Sequence, residues 1–492
     1  MSDLIVATTG GAVRGEVTAH TGREVRRFLA VPYAAPPRGA GRFAPPRPHE
    51  PWTGVRDALA PGPSAPQPRR DAFGALDMSP YFGPGWVRGD DHLTVNVWAP
   101  RTADAGRAPH AAAPSPVMVF VHGGGFVAGS NGAALYDGAA FARDGVVLVT
   151  LNYRLGIAGF LDLPGAPGNR GLLDVVAALR WVRSNIAAFG GDPGNVTLFG
   201  QSAGATITAA VLATPSAAGL VRRAIVQSGS GLGAFSPEQA ARVTRTAAAA
   251  LGVAPTAAAF ADVPDERLVE VVPELGGLDL RTAERADPLM GLSPFSLVLE
   301  RQPAESRLAD VDLLVGTNGE EGNLYLAPQG NFTTSTAQDV RSAAAAHGDA
   351  DALVAAYGAR HPAAGYGEVR SAILGDALFG AGSRRLAEAH GRAHVYEFVW
   401  RSPAVDGLLG AAHTVELPFV FDRLGLPALR GRRGLLGPAE PPASLAEEMH
   451  AAWVAFARTG DPGWPPFTRE RRIRRFGDGG EGERNRRGDR DG

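Results

Sequence analysis

The chain contains 492 residues, carries a net charge of -2 at pH 7, and has neither cysteine nor lysine, since all 48 of its basic residues are arginine. The absence of thiols and side-chain amines excludes a cysteine nucleophile, disulfides, zinc–thiolate and iron–sulfur sites, and Schiff-base chemistry, which leaves a hydroxyl as the natural nucleophile for covalent catalysis. The balanced charge argues against a nucleic-acid partner, because binding to phosphates requires a basic excess.

The amino terminus, MSDLIVATTGG, lacks the basic region and apolar core of an export signal. No apolar stretch approaches the roughly 20 residues needed to cross a bilayer. We therefore expect a cytoplasmic protein with no membrane partner.

Residues 1–468 are predicted to form one large domain, because no linker-like change in composition divides them. The proline-rich stretches 32–52 and 61–68 are predicted to be ordered loops, since aromatic residues such as Tyr33, Phe43 and Trp52 are interleaved with the prolines of the first. Nearly continuous apolar runs predict strands that are buried on both faces, as in a parallel sheet covered by helices, at 116–121, 145–153, 195–200, 223–229, 311–318 and 394–400.

Helices are predicted between and beyond these strands. Apolar residues recur at helical spacing from Leu172 to Phe189, and Gly190 and Gly191 follow as a stop signal. The alanine-rich segments 236–310 and 334–392 favour helices that wall a pocket above the sheet. Residues 469–492 are dense in charge and glycine, which predicts a disordered tail.

Two glycine-rich turns follow predicted strands. Residues 200–204 read GQSAG and place Ser202 where a strand turns into a helix, the geometry of a nucleophile elbow. Residues 122–126 read HGGGF and follow the strand PVMVFV. Both turns lie at the carboxyl ends of strands, the edge of an open parallel sheet where ligands bind.

A serine nucleophile needs an imidazole base, and the base needs a carboxylate that orients it. In the elbow arrangement both partners follow the serine along the chain, the histidine last, and His413 lies in a loop after the strand HVYEFVW. The later alternatives are more consistent with structural positions: His361, His390, His394 and His450. For the acid, the turn after VDLLVGTN presents both Glu320 and Glu321, and the pattern alone does not decide between them.

Many further segments occur in a recognisable order, among them FLAVPYAAPP, DDHLTVNVWAP, NYRLGIAGFL, GNRGLLD, VTLFGQSAG, GTNGEEG, GAAHTVE and WVAFARTGDPGW. With them the chain resembles the cholinesterase-like type B carboxylesterases of the α/β-hydrolase fold over roughly residues 10–467. The fold class that this resemblance implies is α/β, with a mostly parallel sheet covered by helices and helical insertions around the pocket.

The resemblance also assigns roles. It implies Ser202 as nucleophile, His413 as base and Glu321 as the acid, which breaks the tie with Glu320. Backbone N–H groups of Gly124, Gly125 and Ala203 would form the oxyanion hole. The implied reaction is hydrolysis of a small-molecule ester through an acyl-enzyme, with no cofactor and no metal, by a protein that we expect to be a monomer.

Some positions depart from the family pattern. His92 and Ala65 replace a pair of cysteines that often forms a disulfide, and a structural role for His92 is favoured over a catalytic or metal-binding one. Gln201 replaces the glutamate common before the nucleophile, which indicates small neutral esters rather than cationic ones. The alternatives are a carbamate or aryl-ester hydrolase, a lipase of the same fold, or a non-catalytic binding protein on this scaffold.

Overall fold

The computed structural model describes residues 4–101, 113–360 and 362–478. Within these ranges the backbone forms fourteen strands, twelve of which join one sheet. The strands are β1 (Leu4–Thr8), β2 (Gly11–His20), β3 (Arg23–Pro32), β4 (Val55–Asp57), β5 (Ala72–Phe73), β6 (Leu76–Asp77), β7 (Thr94–Pro100), β8 (Ser115–Val121), β9 (Val147–Leu151), β10 (Gly191–Gln201), β11 (Arg223–Gln227), β12 (Asp312–Asn318), β13 (His394–Phe398) and β14 (Arg474–Phe476).

Helices surround the sheet, and some of them lie over the carboxyl ends of its strands. The α-helices are α1 (Ser79–Phe82), α2 (Ala139–Arg143), α3 (Gly156–Phe160), α4 (Arg170–Asn185), α5 (Ala203–Leu212), α6 (Pro237–Leu251), α7 (Ala257–Ala261), α8 (Asp265–Glu270), α9 (Asn323–Leu326), α10 (Ala337–His347), α11 (Ala350–Arg360), α12 (Tyr366–Gly375), α13 (Ala381–His390), α14 (Leu417–Val420) and α15 (Ala443–Thr459). Short 3-10 segments occur at Gly39–Gly41, Ala134–Tyr136, Ile186–Phe189, Pro215–Ala217, Val272–Leu275, Pro303–Glu305 and Pro427–Leu429, and a π-helical turn at Asp376–Gly380.

The large sheet has the order β1-β2-β3-β7-β9-β8-β10-β11-β12-β13-β14, with β4 paired to β2. All neighbours from β9 to β14 are parallel, whereas β1, β2, β3 and β7 join in antiparallel fashion. The six strands predicted from apolar runs correspond to β8–β13, so the predicted fold class is confirmed. At β8 the strand order reverses, since β9 lies on one side and β10 on the other, and such a switch point opens a crevice at the carboxyl ends.

Buried arginines fix the loop and helix beside this crevice. Arg154 donates to both carboxylate oxygens of Asp174 on α4, at 2.9 and 2.7 Å, and the two side chains are almost completely buried. Arg170, at the start of α4, donates to four backbone carbonyls, and burial lowers its pKa to about 10. Removing one partner of such a buried pair typically costs about 3 to 5 kcal/mol, because the other charge stays buried without compensation.

The helices α10 to α12 pack around their own small apolar cluster, separate from the two large clusters of the sheet. Its buried members are Val340, Ala343, Ala344, Tyr357, Val369 and Ile373. No helix in the described part of the chain is both long enough and apolar enough to cross a membrane.

The prediction of disorder from residue 469 onward is wrong for Arg474–Phe476. This segment forms β14, which pairs in parallel with β13, and Phe476 is buried against Trp453 and Trp464. Pairing with an existing sheet edge and burial of one aromatic ring outweigh the polar local sequence. Residues 479–492 of the predicted tail lie outside the described residues.

Candidate active site

Ser202 lies at the junction of β10 and α5 in a strained backbone conformation, with φ 57° and ψ -127°. Its N–H donates to the carbonyl of Gln227 at 3.0 Å. The flanking glycines are required by close backbone contacts: a Cβ on Gly200 would lie 2.5 Å from the carbonyl carbon of Gly204, and one on Gly204 would lie 2.1 Å from the oxygen of Val121. The turn therefore lifts the serine side chain off the sheet edge, as expected of a nucleophile elbow.

His413 contacts both the serine and a glutamate. Its Nε2 lies 2.9 Å from Ser202 Oγ, and its Nδ1 lies 2.7 Å from Glu321 Oε2. Histidine and glutamate are nearly buried, with 2% and 4% of their surface exposed. Glu320 faces elsewhere: it pairs with Arg401 on the surface and accepts a hydrogen bond from the N–H of residue 411 at 2.9 Å.

A polar chain behind the pair fixes the carboxylate. The N–H of Asn318, at the end of β12, donates to Glu321 Oε1 at 2.8 Å. Its Nδ2 donates to the carbonyl of Ala412 and to Glu416 Oε2, both at 2.7 Å. Burial, and then the nearby Glu321, raise the pKa of Glu416 to about 8, so this second carboxyl is mostly protonated at neutral pH. Glu416 therefore adds little negative charge behind His413 at neutral pH.

Three backbone N–H groups in the two glycine-rich turns have no acceptor among the described residues. Within the described residues the N–H groups of Gly124 and Gly125 donate no hydrogen bond, and that of Ala203 begins α5, where no intrahelical acceptor exists. Gly124 has φ 116°, and a Cβ there would lie 1.9 Å from the oxygen of Ala128. The HGGGF turn thus adopts a path that only glycine permits, and its donors are available to a ligand.

Gln201 connects the elbow to the loop above it. Its Oε1 accepts a hydrogen bond from the Tyr81 hydroxyl at 2.5 Å, and its Nε2 lies 3.3 Å from His413 Nε2. An amide in this place adds no charge next to the imidazole. This buried hydrogen bond ties Tyr81, a residue of α1, to the site.

Two aromatic rings that sequence reasoning missed lie against His413. The ring of Phe379 is stacked on the imidazole, with 4.2 Å between centroids and 8° between planes, and Tyr325 lies 6.0 Å away. Phe379 belongs to the π-helical turn Asp376–Gly380, a distortion of helix geometry that is frequent at functional sites. Neither residue carries a local motif that could have identified it.

The other candidate histidines are not part of this arrangement. His92 is buried without a hydrogen-bond partner among the described residues, and burial lowers its pKa to about 4, so it is uncharged. His390, His394 and His450 each contact a backbone carbonyl remote in sequence. His361 lies outside the described residues. In the described part of the chain, no group of three or more acidic or histidine side chains is arranged to hold a metal ion.

Comparison with known proteins gives a consistent result. The carboxylesterase family model matches residues 2–472. The chain is 37% identical over 461 residues to the phenmedipham hydrolase of Pseudarthrobacter oxydans, with 89% of each chain covered. It is 35% identical over 496 residues to the para-nitrobenzyl esterase of Bacillus subtilis, with 96% of this chain and 94% of the relative covered. A solved structure of a PNB esterase superposes with a TM-score of 0.78 at 34% identity and covers 96% of both chains. The chain therefore belongs to the carboxylesterase family, has the α/β-hydrolase fold of its relatives, and is an enzyme that hydrolyses esters by serine chemistry.

Proposed function

We propose that Ser202, His413 and Glu321 form the catalytic triad of an esterase that acts on small carboxylic esters. The observation that carries this proposal is the position of His413, whose two ring nitrogens contact Ser202 Oγ at 2.9 Å and Glu321 Oε2 at 2.7 Å. A non-catalytic binding protein would have no need of this geometry or of the strained backbone at Ser202.

The reaction proceeds in two halves. Ser202 Oγ attacks the ester carbonyl carbon while His413 Nε2 takes the hydroxyl proton, and the resulting tetrahedral intermediate collapses when His413 returns that proton to the departing alkoxide. Water then repeats the sequence on the acyl-enzyme, with His413 as base, and releases the carboxylic acid. Glu321 holds Nδ1 and stabilises the imidazolium that forms in each half.

The N–H groups of Gly124, Gly125 and Ala203 stabilise the oxyanion of both intermediates. Their geometry is set by turns that exclude a side chain at Gly124, so the donors are oriented before substrate binds. In other serine hydrolases, loss of one such donor reduces turnover by about 10²- to 10³-fold.

Gln201 favours the binding of substrates that carry no positive charge. A glutamate at this position would place a carboxylate near the reacting carbonyl and attract a cationic group, whereas the amide does not. We propose a cytoplasmic location, supported by the absence of cysteine from all 492 residues, which makes the fold independent of an oxidising compartment.

The test is hydrolysis of 4-nitrophenyl esters of increasing acyl length by purified protein. Ser202→Ala should abolish turnover of every ester, while the exposed Ser216→Ala, a matched change at a serine on the protein surface, should leave kcat/KM unchanged. Undiminished hydrolysis by the Ser202→Ala protein would refute the proposed nucleophile.

A further inference from the structure

An arginine side chain lies close to the proposed oxyanion loop. A methyl group built on Gly125 would lie 3.6 Å from Nη1 of Arg70 and 3.8 Å from Cβ and Oγ of Ser293. The Ser293 hydroxyl donates to the carbonyl of Gly125 at 2.6 Å, which fixes that wall of the site. The guanidinium of Arg70 is therefore within a few ångströms of the place where an ester would be bound.

Arg70 has no carboxylate partner. Among the described residues, none of the aspartates or glutamates lies within ion-pair distance of its guanidinium, whereas the neighbouring Arg69 pairs with Asp71. Its side chain is partly buried, and this desolvation lowers the pKa of Arg70, although the group remains cationic at neutral pH. The ionisable groups that bear on it are the hydroxyls of Tyr325 and Tyr81, and burial raises the pKa of both, so they are uncharged. A partly desolvated cation without an anion is costly unless a ligand supplies the charge.

The segment that carries Arg70 is anchored at both ends. Before it, the Gln67 side chain donates to the carbonyl of Gly129 at 3.0 Å and accepts from its N–H at 2.8 Å. After it, the N–H of Met78 donates to the carbonyl of Asp71 at 2.9 Å. Since Gly129 follows the HGGGF turn closely, the arginine is held in register with the proposed oxyanion donors, and little ordering is needed when a ligand binds.

We propose that Arg70 is a substrate-binding residue that selects esters carrying a second, anionic group, a carboxylate on the acyl or the alcohol part. This inference rests on the proposed function of the triad and deepens it. A planar guanidinium forms two parallel hydrogen bonds to a carboxylate, which gives both affinity and orientation. Neutral esters remain substrates, but an ester with a carboxylate in reach of Arg70 is a better one. Gln201 is compatible with this preference, because the negative charge of a glutamate there would repel such a substrate.

Two substrate pairs test the proposal. Mono-4-nitrophenyl adipate and 4-nitrophenyl hexanoate differ by a carboxylate on the acyl chain, while 4-acetoxybenzoate and 4-acetoxybenzamide differ by a carboxylate on the leaving group. For each pair, the ratio of kcat/KM values is measured at pH 7.5 for the unmodified enzyme, Arg70→Gln, Arg70→Lys and Arg69→Gln. Arg69 is the matched control, since its exposed side chain pairs with Asp71.

In at least one pair the unmodified enzyme should prefer the carboxylate ester, and Arg70→Gln should reduce that preference about tenfold, the size expected for a charge-assisted hydrogen bond in a partly desolvated site. Arg70→Lys should retain part of it, Arg69→Gln all of it, and added salt should weaken it. The pair that responds identifies which half of the ester faces Arg70.

Absence of a preference in both pairs would overturn the proposal. So would an equal fall in kcat/KM for charged and neutral members in Arg70→Gln, which would mean that Arg70 acts on the reaction or on folding rather than on the anion. Thermal unfolding of each variant separates an effect on the reaction from an effect on folding. The neutral hexanoate reports the proposed triad by itself, so loss of the anion preference and failure of the esterase assignment give different results.

Discussion

The two layers that meet at the active site are held in different ways. On the carboxyl edge of the sheet, Ser202, Glu321 and His413 contact one another, and the strands before them pack into the two large apolar clusters. The cover of this edge comprises residues 65–82, 293–297, 323–360 and 362–390. Some of its residues, such as Tyr81 and Leu324, join the large clusters, whereas α10–α12 pack around a small cluster of their own. The cover reaches the site through separate side chains such as Arg70 and Phe379.

This difference separates two kinds of effect. The edge sets the positions of the reacting groups through backbone geometry that a large core supports, so changes there should lower turnover of every ester. The cover contributes individual contacts, so changes there should alter which ester is preferred, or should alter the rate only modestly. Four substitutions test that division, and their expected effects decrease from the first to the last.

Glu321→Gln should lower kcat by about 10⁴-fold for all esters, because the amide no longer stabilises the imidazolium and can favour the wrong tautomer of His413. The measurement is steady-state hydrolysis of several 4-nitrophenyl esters. Glu320→Gln is the matched control, and since Glu320 pairs with the surface residue Arg401, its kcat should change less than about threefold. The opposite ranking of the two variants would show that the acid is wrongly assigned.

Phe476→Ala should reduce the free energy of unfolding by about 3 kcal/mol, since the ring is buried between β13 and α15 and its removal leaves a cavity. Urea denaturation measures this value, and kcat of the folded fraction should be unchanged. Ile473→Ala, in the same segment but 49% exposed, should change stability by less than about 0.5 kcal/mol. Equal and small effects of both changes would mean that this segment contributes nothing to the sheet.

Glu416→Gln should remove a pH dependence of stability. The folded protein raises the pKa of Glu416 from its ordinary value of 4.5 to about 8, so it holds a proton that the unfolded chain has released. The stabilisation is complete below the unfolded value and is lost as the pH rises to about 8, at about 1.4 kcal/mol per pH unit. The free energy of unfolding is measured for both proteins between pH 5 and 8. As the pH rises, the unmodified protein should lose stability relative to Glu416→Gln by about this amount per pH unit. A constant difference between the two proteins would contradict the buried, protonated carboxyl.

Phe379→Leu, a change in the cover, should lower kcat by less than about tenfold and leave KM nearly unchanged. The leucine fills the space, but it loses the aromatic stacking on the imidazole, an interaction of about 0.5 to 1.5 kcal/mol that strengthens when His413 is protonated. Steady-state kinetics on a neutral ester measures the effect. A loss as large as that of Glu321→Gln would show that the cover takes part in the chemistry and would break the division between the layers.

Strands and turns could be predicted from the sequence where local patterns and the order of motifs along the chain determine them. Apolar runs predicted β8–β13, and the glycines of GQSAG and HGGGF predicted turns that the close contacts of Gly204 and Gly124 explain. The pattern alone could not decide between the two adjacent glutamates, because they differ only in the direction in which their side chains point. Family resemblance favoured Glu321, and in the structure Glu321 is the one that contacts His413.

Other features depend on contacts between distant parts of the chain. Phe379 meets His413, and Arg70 meets the Gly125 turn, only because helices and loops fold back over the sheet. The segment Arg474–Phe476 has a polar sequence that favours disorder, and it becomes a strand only because β13 offers an unpaired edge. The local sequence does not indicate which distant residues a segment will contact, so these features could not be predicted from it.

Covalent labelling of the nucleophile tests the proposed role of Ser202. Diethyl 4-nitrophenyl phosphate should react once per chain, as Ser202 Oγ displaces 4-nitrophenolate from phosphorus while His413 takes the proton, and peptide mapping should place the diethylphosphoryl group on Ser202. The Ser202→Ala protein should release no burst of nitrophenolate and carry no label. Labelling of another residue, or a labelled enzyme that still hydrolyses esters, would show that Ser202 is not the nucleophile.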